Sequence, residues 1–256
     1  MSDNTSYWQT REILARERLF NLEEKELNKL VYKACKSVYN RILLEMKVLY
    51  AELAANKQLS ISYLYTYNKY YDLLNHLEEE LTKLSNQKIY FFEEKLEDMY
   101  KKNAKIIEKQ FPLSDQVDET RMREAIIQAW APDNKTFSDR IWEDKDKLKE
   151  ILIENLTDCV VTGATTKKLT ETLMHTFGVK YHEAERLART ELVHIQNQST
   201  LNSYLQAGIT KVRILPCEDA CEICHKFEGQ IYDIRKVPLL PAHPHCRCAF
   251  IAVIGE

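Results

Sequence analysis

Apolar residues recur at steps of three and four over most of the first half of the chain, and charged residues fill the positions between them. This spacing places apolar side chains along one side of a helix and charges on the other. The first such stripe consists of Leu27, Leu30, Val31, Ala34, Val38, Ile42, Leu49 and Leu53. The pattern from Tyr7 to about Gln110 therefore predicts long amphipathic helices.

The helical pattern is interrupted at 56–60, where Ser60 is a suitable N-cap for a following helix. A third run of helical residues spans 89–107. Helices of this length cannot bury their apolar stripes alone, so we expect them to pair antiparallel or to pack on a partner protein. The second stripe, between the interruption and the third run, consists of Ile61, Leu64, Tyr71, Leu74, Leu77, Leu81 and Leu84.

Shorter helices are predicted beyond Pro112, which ends the third run. Gly178 and Gly208 stand where glycine commonly ends a helix. The expected helices run from a Ser114 cap to Ala131, from a Ser138 cap to Gly163, from Thr165 or Thr166 to Phe177, and from Tyr181 to Ala207.

The periodicity changes after Gly208 to the alternation that is typical of strands, and segments 210–215, 229–232 and 248–253 are each predicted to contain one. The predicted fold class is mainly α: long amphipathic helical arms, then a helical domain that ends in a small cysteine-rich, β-containing unit (α+β). We place the arm domain in residues 1–112 and the second domain in 113–256, with 209–256 as the Cys/His-rich β unit.

Composition and charge narrow the classes of function. The 256 residues carry 36 Lys+Arg against 39 Asp+Glu, a net charge of −3, which is not the balance of a protein that binds nucleic acid through bulk positive charge. A hydrophobic fraction of 45% allows a substantial core. The apolar run 249–254 is too short to cross a membrane, and the polar opening residues predict no export signal. We therefore expect no membrane partner.

Five of the seven cysteines lie after residue 215, in two clusters. Cys221-x2-Cys224 presents two thiolates on one side of a tight bend, as tetrahedral zinc requires. The second cluster is His243-Pro244-His245-Cys246-Arg247-Cys248, and 21 residues separate Cys224 from Cys246. We predict a structural zinc ion bound by four of five residues, with one to spare: Cys221, Cys224, His243, Cys246 and Cys248. Less favoured ligands are Cys217, His225 and His245.

Two other uses of the cysteines stay open at this point. The thiols could be free and buried, or could pair only on oxidation. A catalytic use would need an open zinc position or a cysteine nucleophile, such as Cys246 beside His243. We expect no enzyme, because clustered cysteines usually hold a fold together.

Several motifs resemble the Mu F-like minor head proteins of tailed bacteriophages, whose shared region is called the phage head morphogenesis domain. The resemblance covers roughly residues 150–256. The opening Tyr7-Trp8 with Arg11 is also similar to minor capsid proteins of phages that infect Gram-positive bacteria. The motifs of the main resemblance are Ala188-Arg189-Thr190-Glu191, then Asn197, Tyr204 and Gly208, then Cys221-x2-Cys224 with Gly229, then His243-Pro244-His245-Cys246-Arg247-Cys248.

The resemblance implies a low-copy structural protein of the virion, placed in the capsid interior or at the portal vertex and assembled in the host cytoplasm. Its partners would be the portal protein and capsid or scaffold components, with phage DNA contacted weakly if at all. Its function would be head assembly and genome delivery, without catalysis. Two alternatives remain: a zinc-stabilised nucleic-acid-binding protein, and a metal-dependent hydrolase or effector.

Two charged residues of the resemblance lie close together on one predicted helix. Arg189 and Glu191 are two residues apart, so they point to different sides of that helix. We expect Arg189 to contact the cysteine-rich unit and Glu191 to make a separate contact, the alternative being that both are surface charges. Arg247, between two cysteines, is expected to reach either a carboxylate or a phosphate.

Overall fold

A computed structural model of the chain describes residues 2–111, 117–216 and 220–254, with side chains from Tyr7 onward. It confirms the predicted fold class: helices dominate, and a small antiparallel sheet lies near the carboxyl end. The elements in this part of the chain are α1 (Ser2–Ala55), α2 (Ile61–Thr66), α3 (Asn68–Glu108), α4 (Glu119–Ile127), α5 (Phe137–Thr162), α6 (Thr166–Gln206), β1 (Lys211–Leu215), α7 (Glu222–His225), β2 (Ile231–Asp233) and β3 (Ala249–Ala252).

The interruption between α1 and α2 occurs where the sequence predicts it. Lys57 has a positive φ of 55°, and the Ser60 hydroxyl accepts a hydrogen bond from the Tyr63 amide at 3.2 Å, as an N-cap does. The third run belongs to the same helix as most of the second, α3, and an additional break lies at Tyr67, whose backbone is extended. The buried side continues through Lys88 in helical steps, so nothing ends the helix there.

Two predicted helix boundaries are wrong. Ser138 is not a cap, because α5 already begins at Phe137. The helix predicted to end at Phe177 continues through Gly178 as part of the 41-residue α6. Phe177 and Ala184 are both buried, so the apolar side stays in phase across the glycine, and packing outweighs its cost of about 1 kcal/mol.

The helix predicted from Ser114 to Ala131 is shorter than expected. Ser114 lies outside the described residues, and α4 begins after Asp118, whose carboxylate accepts a hydrogen bond from the Arg121 amide at 3.1 Å. The helix ends at Ile127. By contrast, Gly163 and Gly208 follow the ends of α5 and α6 with positive φ values of 61° and 75°, as predicted.

The chain forms two compact units. The sheet unit consists of Met1–Asn28, Phe92–Thr136 and Arg186–Glu256, and the helical unit of Lys29–Phe91 and Phe137–Glu185. Each unit draws on segments from both sides of residue 112, and the domain boundary predicted there stays a prediction. No helix in the described ranges is long and apolar enough to cross a membrane.

Within the helical unit, α1 and α3 run antiparallel, as predicted. Side-chain pairs between the two helices show this, because the residue number of the partner on α3 decreases as the residue number on α1 increases. The pairs are Arg41 with Glu80, Glu45 with His76, and Glu52 with Lys69. In the sheet unit, Glu26 of α1 pairs with Lys95 of α3 at 2.5 Å.

The three strands lie in the order β2-β1-β3, so β3 is an edge strand. Side chains from α1 and α6 supply hydrogen bonds to this edge in the way that a neighbouring strand would. Three side chains donate hydrogen bonds to backbone carbonyls here: Gln9 Nε2 to Ala252 (2.9 Å), Arg16 Nη1 to Phe250 (2.7 Å) and Asn197 Nδ2 to Cys248 (3.0 Å). Asn197 also accepts a hydrogen bond from the Phe250 amide at 3.2 Å.

A buried ion pair joins α1 to the core of the sheet unit. Arg16 lies 3.2 Å from Glu12, and both side chains are only 3% exposed. The Tyr204 hydroxyl, from α6, donates to the same carboxylate at 2.5 Å. Within the described residues, Nε and Nη2 of Arg16 have no hydrogen-bond partner. The guanidinium therefore relies on Glu12 and the Phe250 carbonyl to offset its desolvation.

Replacing Arg16 by Met should lower the free energy of unfolding by about 3–5 kcal/mol, because the Glu12 carboxylate then stays buried without its counter-charge. Urea denaturation measures this loss. The double variant Glu12→Gln, Arg16→Met should recover part of it, since neither charge remains. Lys101→Met, which removes an exposed pair with Glu97, is the control and should cost about 1 kcal/mol or less. Equal losses for Arg16→Met and the control would contradict this role for Arg16.

Candidate metal centre

The five predicted ligands lie in two segments of the sheet unit. Cys221 occupies the N-cap position of α7, and Cys224 lies buried within that helix. The second segment turns back at His243, whose carbonyl accepts a hydrogen bond from the Cys246 amide at 3.1 Å. Cys248 directly precedes β3 and is buried. A short helix and a tight turn therefore bring the two halves together.

Several ligand atoms of these residues lie at distances from one another that ligands of a single metal ion take. His243 Nε2 lies 3.1 Å from Sγ of Cys221 and 3.1 Å from Sγ of Cys224. Sγ of Cys224 lies 3.7 Å from Sγ of Cys246. Two thiolates bound at ~2.3 Å to one tetrahedral zinc are separated by roughly 3.8 Å, so this last distance suits zinc directly.

The donors form two overlapping groups. Cys221, Cys224 and His243 make one, and Cys224, Cys246 and Cys248 make the other; within each, all ligand atoms lie within 4.8 Å of one another. Cys224 is shared by both groups and is therefore the donor that connects them. The cluster is compatible with zinc, while its ligation by these residues stays a prediction.

The ring of His243 is oriented by its own turn. Its Nδ1 lies 2.7 Å from the Pro244 carbonyl, so a proton on Nδ1 is donated there and Nε2 is left to face the thiols. The same bond is the first cause of a raised pKa of His243. Such an outer contact is typical of histidines that bind metals, because it fixes the tautomer.

The thiols of the cluster shift one another's pKa values, as the thiols of metal sites do. A hydrogen bond from Cys248 is the first cause of a lowered pKa of Cys246, whereas burial raises the pKa of Cys224. Thiols that hydrogen-bond to one another in a cluster can release protons, and a bound cation then takes the place of those protons on the sulfur atoms. The chemistry of the donor set therefore fits a soft divalent metal such as zinc.

The less favoured ligands lie elsewhere. His225 contacts Glu228 at 3.4 Å, and His245 contacts Arg189 Nη1 at 3.4 Å. Neither belongs to the two donor groups found among the described residues. Cys217 lies outside the described residues. The preference for His243 over these two histidines stays a prediction.

The sequence Arg189-Thr190-Glu191 lies on α6 beside this cluster. Arg189 contacts His245 of the cysteine-rich turn, as expected, and its Nε also lies 2.5 Å from the Glu24 carboxylate on α1. Glu191 makes a separate contact, accepting a hydrogen bond from the Trp130 indole at 2.9 Å. The hypothesis of two different contacts is confirmed, and neither residue is simply a surface charge.

Arg247, between the last two cysteines, reaches a carboxylate. Its Nη2 lies 3.7 Å from Glu24, and its guanidinium lies over the Phe20 ring at 5.3 Å. Glu24 therefore receives one arginine from α6 and one from the cysteine-rich turn. This link ties α1 to the segment that carries the candidate ligands.

A comparison with protein families matches residues 150–251 to phage Mu protein F like protein. This carboxy-terminal part of the chain is therefore similar to the Mu F-like family. The matched Mu F-like region covers fewer than half of the 256 residues and includes all five candidate ligands. No curated protein and no solved structure matches the chain.

Sequence reasoning missed two residues that support the Mu F-like region, Glu24 and His194. Glu24 has no local signal, because it is one glutamate among many on α1. His194 stacks on Trp130 with 4.2 Å between ring centroids, and its Nδ1 lies 3.4 Å from the Leu240 carbonyl. Burial lowers the pKa of His194 to about 4. The position of His194 among the apolar residues of α6 is a signal in the sequence that could have indicated a buried, neutral ring.

Purified protein should contain about one zinc ion per chain, and chelation should remove it together with a substantial part of the thermal stability, because the ion holds two segments together. Elemental analysis and thermal denaturation measure this. Cys224→Ser should abolish binding, while Cys35→Ser, a buried cysteine outside the cluster, is the matched control. Replacing Cys221, His243, Cys246 and Cys248 one at a time identifies the spare donor, whose variant retains zinc. Metal-free protein with an unchanged melting temperature would refute the site.

The free energy of unfolding should fall as pH is lowered from about 6.5 to about 4, by up to about 3 kcal/mol from His194 alone. The unfolded histidine takes up a proton near its ordinary pKa, whereas the folded one does not until about pH 4, so the unfolded state binds more protons within this window.

Urea titrations at several pH values measure the slope, and nuclear magnetic resonance of the wild type reports the ionisation of His194 directly. His194→Gln should flatten the slope, while His182→Gln, at an exposed histidine, should leave it unchanged. Folded His194 that ionises near its ordinary pKa would contradict the burial argument.

Proposed function

We propose that this chain is a phage head morphogenesis protein, a minor capsid component that acts through protein contacts at the portal vertex. The observation that carries the proposal is the family match over residues 150–251. Its partners are the portal protein and capsid or scaffold components, and it assists head assembly and genome delivery. It is assembled in the host cytoplasm and remains in the virion.

The cysteine-rich unit has a structural role in this proposal. Two donor groups that together contain four cysteines and one histidine supply enough protein ligands to close a tetrahedral site. Catalytic zinc sites keep one position open and place a carboxylate base nearby. Neither donor group of the described chain includes a carboxylate. The donor set therefore supports zinc that holds a fold together, and the proposal assigns no catalysis.

The contacts of the sheet unit support a rigid adaptor. α1 supplies Gln9 and Arg16 to the edge of β3 and Glu24 to Arg189 of the Mu F-like region. Contacts that run through backbone carbonyls and a buried carboxylate fix the segment from Gln9 to Glu24 in one orientation. An assembly protein gains from such rigidity, because less conformational entropy is lost when it binds a large partner.

Tagged protein, co-expressed with the portal protein encoded in the same phage or prophage genome, should co-purify with it, and mass spectrometry should detect the chain in procapsids and virions. Cys224→Ser should reduce incorporation because it removes a donor shared by both groups, whereas Cys35→Ser should not. Absence of the chain from both procapsids and virions would overturn the proposal. DNA binding that falls steeply with salt would instead favour a nucleic-acid-binding role.

A further inference from the structure

One side of the first half of α1 combines exposed apolar and basic residues. Six side chains follow each other at steps of three and four, and we call them the Arg-Leu stripe: Tyr7, Arg11, Leu14, Arg18, Leu22 and Lys25. At a rise of 1.5 Å per residue, the stripe is about 27 Å long. Tyr7, Leu14 and Leu22 are 55%, 46% and 51% exposed, and the three cations between them are exposed too.

The opposite side of the same helix segment is fixed. Glu12, Arg16 and Glu23 are buried, and they make the contacts to Tyr204, Phe250 and Lys102 of the sheet unit. The stripe is therefore presented on a rigid backbone. A rigid helix that exposes apolar side chains at helical spacing has the geometry of a helix-binding face.

The cations of the stripe have no local counter-charges. Several cations on other exposed helix faces pair with acids three or four residues away, as in Lys101 with Glu97 and Lys167 with Glu171. No acid stands three or four residues from Arg11, Arg18 or Lys25. Within the described residues, Arg18 and Lys25 form no ion pair, while Arg11 packs on the rings of Tyr7 and Trp8. An ordinary solvated face would balance its charges locally.

We propose that the Arg-Leu stripe binds an acidic amphipathic helix of a partner protein. Charge complementarity selects this occupant, because the cations have no counter-charge in the described chain and alternate with apolar side chains that need a dry contact. A nucleic-acid backbone would meet Leu14 and Leu22 without gaining from them. A second copy related by two-fold symmetry would oppose like charges. This proposal rests on the proposed function in one respect only, namely that the partner is a protein.

The test uses the full chain and two synthetic 21-residue helical peptides. Both carry Leu at the a and d positions of each heptad; one carries Glu at e and g, and the other carries Lys there. Fluorescence anisotropy at low and at physiological salt measures their affinities. The acidic peptide should bind at least about tenfold more tightly than the basic one, and added salt should reduce the difference.

Substitutions on the stripe should weaken binding of the acidic peptide by about tenfold while leaving the melting temperature unchanged, because the side chains are exposed. The test variants are Arg18→Glu and the double variant Leu14→Gln, Leu22→Gln. The matched controls, on other exposed helix faces, are Lys167→Glu and Met174→Gln, whose affinity should stay within about twofold of the wild type.

Three outcomes would overturn the proposal. The first is no preference for the acidic peptide, or equal losses in the stripe and control variants. The second is tighter binding of a 21-base-pair DNA duplex that Arg18→Glu abolishes, which would assign the stripe to nucleic acid. The third is a wild-type dimer in sedimentation that Arg18→Glu dissociates, which would assign it to a second copy. None of these outcomes bears on the proposed function, which incorporation of the chain into procapsids tests independently.

Discussion

The sheet unit depends on one side chain that serves the sheet and the cysteine cluster together. The Asn197 amide donates to the Cys248 carbonyl and accepts from the Phe250 amide, so it contacts the backbone on both sides of Ala249. An edge strand needs such partners, because its unpaired groups otherwise lose hydrogen bonds when buried. Since Cys248 is also a candidate ligand, the asparagine fixes the start of β3 and one thiol in a single contact. The position of the cluster relative to α6 follows from it.

The match to the Mu F-like family begins at residue 150, yet the part of it that lies in the sheet unit is completed by a segment far earlier in the chain. Residues 9–24 of α1 supply two donors to β3 and the carboxylate that receives Arg189 and Arg247. Removing that segment would leave the carbonyls of β3 without these donors, each at a cost of about 1–3 kcal/mol. The two partly exposed arginines would lose their carboxylate at about 1 kcal/mol or less each. The part of the Mu F-like region that lies in the sheet unit is thus completed by α1, which takes the place of a neighbouring strand at the edge of β3.

Local signals were sufficient for much of the fold and of the candidate site. The spacing of Cys221 and Cys224 fixes two thiols on one short helix, and the turn at His243 is equally local, so the neighbourhood of the ligands could be predicted. Contacts between distant segments could not, because nothing near Glu24 shows that Arg189 will face it 165 residues later. Gly178 shows the converse error, since a local stop signal is outweighed by packing on both sides.

The part of α6 in the sheet unit buries polar residues where most helices bury apolar ones. Gln196 donates to the Arg16 carbonyl at 2.9 Å, and Ser199 donates to the Tyr100 carbonyl at 2.8 Å. Asn103 of α3 bonds the Thr200 hydroxyl at 3.0 Å. Apolar contacts tolerate a small slide or rotation of one helix against another, whereas these bonds are made in one register and leave unsatisfied groups in every other. The buried polar side of α6 therefore specifies how α1, α3 and β3 are arranged around it. A unique arrangement, more than additional stability, is what keeps the cysteine cluster and the exposed side of α1 in a constant relation to each other.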